Sequence, residues 1–217
     1  MPIVTISREY GAGGSSVAGL VAVELKAEVV DKKLVEEVAA RLSLRPSDVE
    51  AEIERPRGLL ERLVRSFSVL EPGMGAGWQP PYPDPLYDPR KEMIGLTESV
   101  IKEVAAAANV VIVGRGASFV LHNRPGIFRV FLRAPDAVKV KTLMARLGLS
   151  EAETLRKMHE TDSNRAAYIR QLYGHDWCDV SEYDLIVNTG RVSYETAAAM
   201  ILDGARDTAR DAAPTPA

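Results

Sequence analysis

Short unbroken apolar runs alternate along the chain with stretches where apolar side chains return every three or four positions. The runs are Ile3-Val4 with Ile6, Ala27 to Val30, Val110 to Val113, Phe128 to Leu132, and Asp184 to Asn188 around Leu185-Ile186-Val187. Runs without polar alternation are the mark of strands covered on both faces, as in a parallel sheet. Between them, Val17, Leu20, Val21 and Leu25 share one helical face, as do Leu34, Val35, Val38, Ala39 and Leu42. Helices are also predicted from Met93 to Ala108, from Asp136 through Val140, Leu143, Met144 and Leu147, from Ser150 to Tyr173, and from Ser193 to Arg210. Asp136 reads as a cap, Asn109 as a C-terminal cap, and Ser150 with Glu153 as a capping box. Ser47 with Glu50 predicts a second box, and after a break at Pro56, Leu59, Leu60, Leu63, Val64 and Phe67 predict one more amphipathic helix. The result is an α/β fold: a five-stranded, mainly parallel sheet with helices on both faces.

One segment breaks the rhythm. Glu71 to Arg90 carries Pro72, Pro80, Pro81, Pro83, Pro85 and Pro89, with Gly73, Gly75, Gly77, Trp78, Tyr82 and Tyr87. Such a stretch disfavours regular structure, and a loop this long is either a flap over substrate or a slack insertion. Residues 211–217 read as a frayed tail, and no internal repeat is visible.

Composition narrows the function. The 217 residues are 46% hydrophobic and 26% charged, ordinary for one globular α/β domain. A net charge of −3 supplies no basic field for nucleic acid and no polybasic membrane patch, so an anionic substrate must be held by local arginines. No apolar run has the length of a membrane span, and the N-terminus enters a strand without a signal-peptide pattern. The single cysteine, Cys178, excludes an internal disulfide and fits a reducing cytoplasm.

In such sheets ligands sit beyond the carboxyl ends of the strands. The segments there are Arg8 to Ser16, Asp31-Lys32, Gly114-Arg115-Gly116, Arg133 and Asn188-Thr189. The first is the richest. A strand passes through Gly11-Ala12-Gly13-Gly14 into a helix opening at Ser15-Ser16, which is an anion cradle of unpaired N–H groups at a helix N-terminus. A plain turn fits the same letters. Against the consensus G-x-x-x-x-G-K-[ST], Arg8 stands at the first glycine, Gly14 at the lysine and Ser15 at the hydroxyl. Gly11, Gly13 and Ser16 also approach the dinucleotide pattern G-x-G-x-x-G/A, with Asp31 as the ribose acid. Two features count against that alternative: Ser7 to Tyr10 lengthen the turn, and nothing downstream resembles a hydride-transfer site.

The segments ISREYGAGGSS, VVDKKLVEEVA, VIVGRGA, ETDSNRAAYIRQLYGHDW and YDLIVNTGR together resemble the cytidylate-kinase-like family of phosphate-loop nucleoside monophosphate kinases. The resemblance covers most of the chain apart from the proline-rich insertion and the tail. It implies a single P-loop NTPase three-layer domain over residues 1–217. An acceptor-binding insertion would span about 31–92, flexible over 71–90, and a lid about 150–180. It further implies phosphoryl transfer from ATP·Mg²⁺ to a nucleoside monophosphate, CMP foremost, by a monomer or homodimer. Gly11, Ala12, Gly13, Gly14, Ser15 and Ser16 would hold the ATP phosphates, with Ser15 or Ser16 near the metal. Arg115 resembles the arginine that holds the acceptor's phosphate, and Asp31 and Lys32 open the acceptor segment. Asp162 and Arg165 resemble the lid pair, aspartate towards the acceptor sugar and arginine on phosphates. Arg8, Arg115 and Arg165 are the candidate catalytic cations.

Other readings stay open. Asp162 and Arg165 also suit a solvated i,i+3 ion pair, and Asp31 a helix N-cap. His122, His159 and His175 read as surface or core polar groups, no metal-ligand spacing occurs, and Trp177 reads as packing. The chain departs from the family at Gly14 in the lysine position, at Gly116 where an aspartate follows the arginine, and at Met158-His159 in the lid. The absent lysine leaves Arg8 or Lys32 to supply its charge. It also keeps open a nucleotide-binding sensor or regulator of the same fold with weak transfer activity.

Overall fold

The computed structural model describes residues 2–47, 49, 89–107 and 109–211. Its centre is a sheet of five parallel strands: β1 (Ile3–Arg8), β2 (Glu28–Val30), β3 (Val110–Val113), β4 (Ile127–Arg133) and β5 (Leu185–Asn188), in the order β2-β3-β1-β4-β5. Ile3 stands opposite Val110 on one side and Ile127 on the other, and Val130 opposite Leu185. In the dinucleotide fold β2 lies beside β1. Here β3 separates them, so Asp31 stands one strand further from the glycine turn.

Besides helical residues at 46, 47 and 49 and a 3₁₀ turn at Val180–Glu182, seven helices are described: α1 (Gly14–Leu25), α2 (Lys32–Leu42), α3 (Pro89–Ala107), α4 (Ala117–Val120), α5 (Asp136–Leu147), α6 (Glu151–Tyr173) and α7 (Tyr194–Asp211). Alternate strand residues feed two cores, as the pleat requires. Val4, Ile6, Val111, Val113, Val130 and Leu132 pack under Val17 and Val21 of α1 and Ala197 and Ile201 of α7. Ile3, Val110, Ile112 and Ile127 face Leu34 and Val38 of α2 and Ile101 and Ala105 of α3. Each fully buried Val, Leu or Ile contributes about 1.5–3 kcal/mol, and these two layers hold the strand ends in fixed register.

Where boundaries differ from expectation the causes are local. α3 starts at Pro89, ahead of Met93, because proline is tolerated in a helix's first turn, where its missing N–H costs nothing. Asp136 does not cap α5; it is the first helical residue, after Pro135, and its carboxylate pairs with Lys139 at 3.0 Å. α4 escapes a sequence reading because four residues carry no periodicity. The Ser150–Glu153 capping box is present, and Ser193 caps α7 by accepting from the Thr196 N–H at 3.2 Å. Asn109 reaches across to donate to the Leu25 carbonyl at 3.2 Å, tying the start of β3 to the end of α1. Ser47, expected as the N-cap of a second capping box, is itself helical, because the turn already begins at Pro46. Its expected partner Glu50, the helix around Leu59 to Phe67, the stretch from Glu71 to Asp88 and residues 212–217 lie outside the described residues. Among those described, no helix is long and apolar enough to cross a membrane.

Candidate active site

The glycine turn is built as its sequence requires. Gly11 and Gly13 take left-handed backbone (φ 92° and 79°), and Gly13 immediately precedes α1. A Cβ on Gly13 would lie 2.4 Å from a ring carbon of Tyr194, so both conformation and space demand glycine. Among the described residues no side chain caps α1, and no acidic residue occupies its first turn, so the helix N-terminus presents its positive end there. Ser15 and Ser16 are exposed there. The turn is braced from just beyond β5, where Thr189 Oγ1 donates to the Ala12 carbonyl at 3.0 Å.

Arg8 ends β1 and its side chain crosses the turn. A Cβ on Gly14 would lie 2.7 Å from Arg8 Cγ, and one on Gly114 would lie 1.9 Å from Arg8 Nη1. The stem therefore rests on Gly14 and the guanidinium against Gly114, at the end of β3. Arg115 follows with left-handed backbone (φ 57°), between Gly114 and Gly116, which are also left-handed. Three successive residues in that region form a sharp reversal, and a non-glycine residue held there is strained by about 1 kcal/mol or more.

Beside Arg8 lies a cleft of roughly 170 Å³ walled by the ends of β1 and β3, by one face of α6, and by Trp177. Arg8, Arg115, Lys157 and Arg165 bring four positive charges to it, against Glu160 as the one acid among the described lining residues. Lys157, Glu160, Thr161, Asn164, Arg165 and Tyr168 share the face of α6 that borders it. That polar stripe at helical spacing was visible in the sequence; its direction was not. The apolar face fixes it: Met158 is buried with Val140 and Leu143 of α5. The cleft lining includes neither the glycine-turn residues Gly11 to Ser16 nor Asp31; Arg8 is the side chain that touches both turn and cleft.

Asp162 and Arg165 form a pair at 3.1 Å, and each also bonds the main chain of the loop after β1. Asp162 Oδ1 accepts from the Tyr10 N–H at 2.8 Å, and Arg165 Nη1 donates to the Arg8 carbonyl at 3.0 Å. α6 is thereby docked on the loop between β1 and α1. Burial pushes the Asp162 carboxyl above its ordinary value, against the opposing pull of Arg165 and the Tyr10 N–H. The guanidinium carbons of Arg146 and Arg165 each stand 5.7 Å from the Tyr10 ring centre.

A second buried link was missed by sequence reasoning. Glu9 Oε2 accepts from Lys139 Nζ at 2.8 Å and from the Ala134 N–H at 3.1 Å. Burial works to lower the Lys139 pKa, but its hydrogen bonds to Glu9 and Asp136 prevail and raise it. The available signal was a lysine next to Val140 on the apolar face of α5.

Behind the cleft, Trp177 meets Phe131 edge-on at 5.3 Å and its carbonyl accepts from Tyr183 Oη at 2.8 Å. Trp177 thus packs as expected and lines the cleft as well. His122 and His175, unremarkable in sequence, converge on buried Glu182, at 3.3 and 2.5 Å, and pin the turn that carries Trp177. Thr5, Ser118 and Ser7 form a buried hydroxyl chain under β1, at 3.0 and 3.2 Å. Asp31 occupies the N-cap position of α2 without a capping hydrogen bond, and Lys32 opens that helix. Cys178 is exposed, and no group of three His, Cys, Asp or Glu among the described residues could hold a metal.

The chain is similar to several known proteins. A cytidylate kinase of Pyrococcus horikoshii is 38% identical over 100 residues, 46% of this chain and 50% of that protein. The chain thus spans about half the length of that curated relative. A crystal structure of an uncharacterized protein from Eubacterium ventriosum superposes with a TM-score of 0.68 at 22% identity, covering 95% of this chain and 99% of that one. A shikimate kinase from Bacteroides thetaiotaomicron superposes with a TM-score of 0.52 at 16% identity, covering 95% and 97%; at such identities the likeness is one of fold. The sequence profile of the cytidylate kinase-like family matches residues 3–191, and the chain belongs to that family.

Proposed function

We propose that the protein is a nucleoside monophosphate kinase that moves the γ-phosphoryl group of ATP to CMP or a related monophosphate. The observation that carries this reading is the cleft beside the glycine turn, where Arg8, Arg115, Lys157 and Arg165 converge on one small volume. Bringing two polyanions together needs positive charge from several directions, and the transfer asks the protein for positioning and charge rather than a covalent nucleophile. The α1 N-terminus and its glycine turn suit the triphosphate of the donor. The arginine-lined cleft suits the acceptor's phosphate, where planar guanidinium groups take two oxygens at once. An acceptor phosphate oxygen forms the new bond to the γ-phosphorus. The bond from that phosphorus to the β,γ-bridging oxygen breaks, its electron pair staying with ADP. Between fully ionised reactants and products no proton is gained or lost.

Magnesium would travel with the triphosphate, because the nearby protein groups suited to it are the exposed hydroxyls of Ser15 and Ser16 at the start of α1. When bound it supplies charge neutralisation at the transferring phosphates. A second reading, a nucleotide-binding regulator with little transferase activity, draws on Gly14 standing where the phosphate-loop lysine belongs. One assay separates the two: coupled ADP release from Mg·ATP with CMP, UMP, AMP and GMP in turn. Turnover highest with CMP and abolished in Arg115→Ala supports the kinase. Binding of Mg·ATP without turnover on any acceptor supports the regulator.

A further inference from the structure

We infer that Arg8 and Gly14 have exchanged duties: the Arg8 guanidinium carries the charge that a phosphate-loop lysine at position 14 would supply, delivered from the strand side of the turn. This inference rests on the kinase reading above. Its basis is a steric exclusion visible in the fold. A side chain leaving Gly14 would begin 2.7 Å from Arg8 Cγ and 3.3 Å from its Cβ and Cδ, so the Arg8 stem already fills the space a lysine stem would take. The reciprocal holds at the other end, since Arg8 stands at the first glycine of the consensus while position 14 has become glycine. Gly114 completes the arrangement, because a Cβ there would lie 1.9 Å from Arg8 Nη1.

The direction of the guanidinium suits the task. Arg8 packs on the glycine turn and also lines the acceptor cleft, so its charge lies at the seam between donor and acceptor sites. Its carbonyl is held by Arg165 Nη1 at 3.0 Å, which fixes the backbone from which the side chain springs. A guanidinium offers the transferring group a two-pronged donor where lysine offers a point charge.

The test compares wild type, Arg8→Met, Gly14→Lys and the double variant Arg8→Gly/Gly14→Lys. Turnover is read by coupled ADP release and Mg·ATP affinity by calorimetry. Methionine keeps an apolar stem on Gly14 and Gly114 while removing the charge, and thermal melting checks that it folds. Arg8→Met is expected to lower kcat by about 100-fold, the scale of losing one preorganised charge at a transition state, with a much smaller change in KM. Gly14→Lys alone is expected to be equally impaired, because two stems compete for one space. The double variant, with the lysine in its consensus place and the space cleared, is expected to recover at least about 10-fold over either single change. Folded Arg8→Met with kcat within about 3-fold of wild type overturns the exchange, as does a folded double variant no better than the singles. If the double variant does not fold, Arg8→Met decides alone. Should wild type itself turn over no monophosphate, the kinase reading fails first. The exchange then stands or falls on Mg·ATP affinity, which must weaken in Arg8→Met and recover in the double variant.

Discussion

The main-chain N–H of Tyr10 and the carboxylate of Asp162, 152 residues apart, meet at 2.8 Å. The bond joins the loop after β1 to the helix that walls the cleft, and the same carboxylate holds Arg165, which in turn bonds the Arg8 carbonyl. A side chain read from sequence as a ligand for the acceptor sugar is, in this conformation, the pin on which α6 is docked. Moving α6 would break this pin, so the geometry of the cleft and that of the glycine turn are mechanically one.

Asp162→Ala is therefore expected to cost about 1–3 kcal/mol of stability, since it strands a Tyr10 donor in a half-buried setting and removes a partner of Arg165. Urea unfolding checks the magnitude, and hydrogen exchange checks the site: the Tyr10 amide should exchange faster while amides in β1 stay protected. Unchanged Tyr10 exchange would show that α6 is held by its apolar face alone.

Gly13→Ala tests the turn itself. The position needs φ near +79° and lies under the Tyr194 ring, so alanine meets both a strained backbone and a clash. We expect a loss of about 1–3 kcal/mol and weaker Mg·ATP binding by calorimetry. Adding Tyr194→Ala relieves only the clash. If the double variant matched wild type in both measurements, backbone strain would be irrelevant at this position.

How much of this was legible beforehand follows from what each feature depends on. The five strands were readable because β1, β3 and β4 are covered on two faces and carry almost unbroken apolar runs. The strand-end segments around Arg8 and Arg115 followed from the rule that places ligands beyond carboxyl ends. The order β2-β3-β1-β4-β5 had no local signal, because it is decided by which helices cover which face. Lys139 and Glu9 were invisible as a pair, since nothing in their spacing announces a contact 130 residues apart. The convergence of His122 and His175 on Glu182 depends likewise on the turn after α6, which folds back only because Trp177 and Tyr183 are buried beside Phe131. Arg8 was readable as a cation near the turn, but not as the occupant of the space above Gly14.

The Glu9–Lys139 link predicts strong coupling. Lys139 is buried, so Lys139→Met leaves the Glu9 carboxylate, among the described residues, with the Ala134 N–H alone, at an expected cost of about 3 kcal/mol. Adding Glu9→Gln removes the uncompensated charge and should return about 1 kcal/mol or more. Chemical denaturation of the two single variants and the double gives the coupling energy. Additive losses would mean that the pair contributes nothing jointly.

Acid titration offers a check with a definite sign. Burial raises the Asp162 carboxyl above 3.8, with Arg165 and the Tyr10 N–H opposing only in part. Because the folded value exceeds the unfolded one, the native state binds this proton more tightly. The extra stability of the protonated form is complete below pH 3.8 and is lost as pH rises through the folded value, leaving an ionised carboxylate that the fold still uses as a pin but holds less favourably than the neutral acid. Asp162→Asn removes that titration but keeps one acceptor for Tyr10. The stability of wild type relative to this variant should therefore fall steadily as pH is raised from about 4 and level off once Asp162 is ionised. Carbon-detected NMR of the Asp162 carboxyl supplies the direct reading, a midpoint above 3.8. A midpoint below that value, with the stability difference rising instead of falling, would mean that Arg165 and the Tyr10 N–H outweigh burial and that the pin is strongest in its charged form.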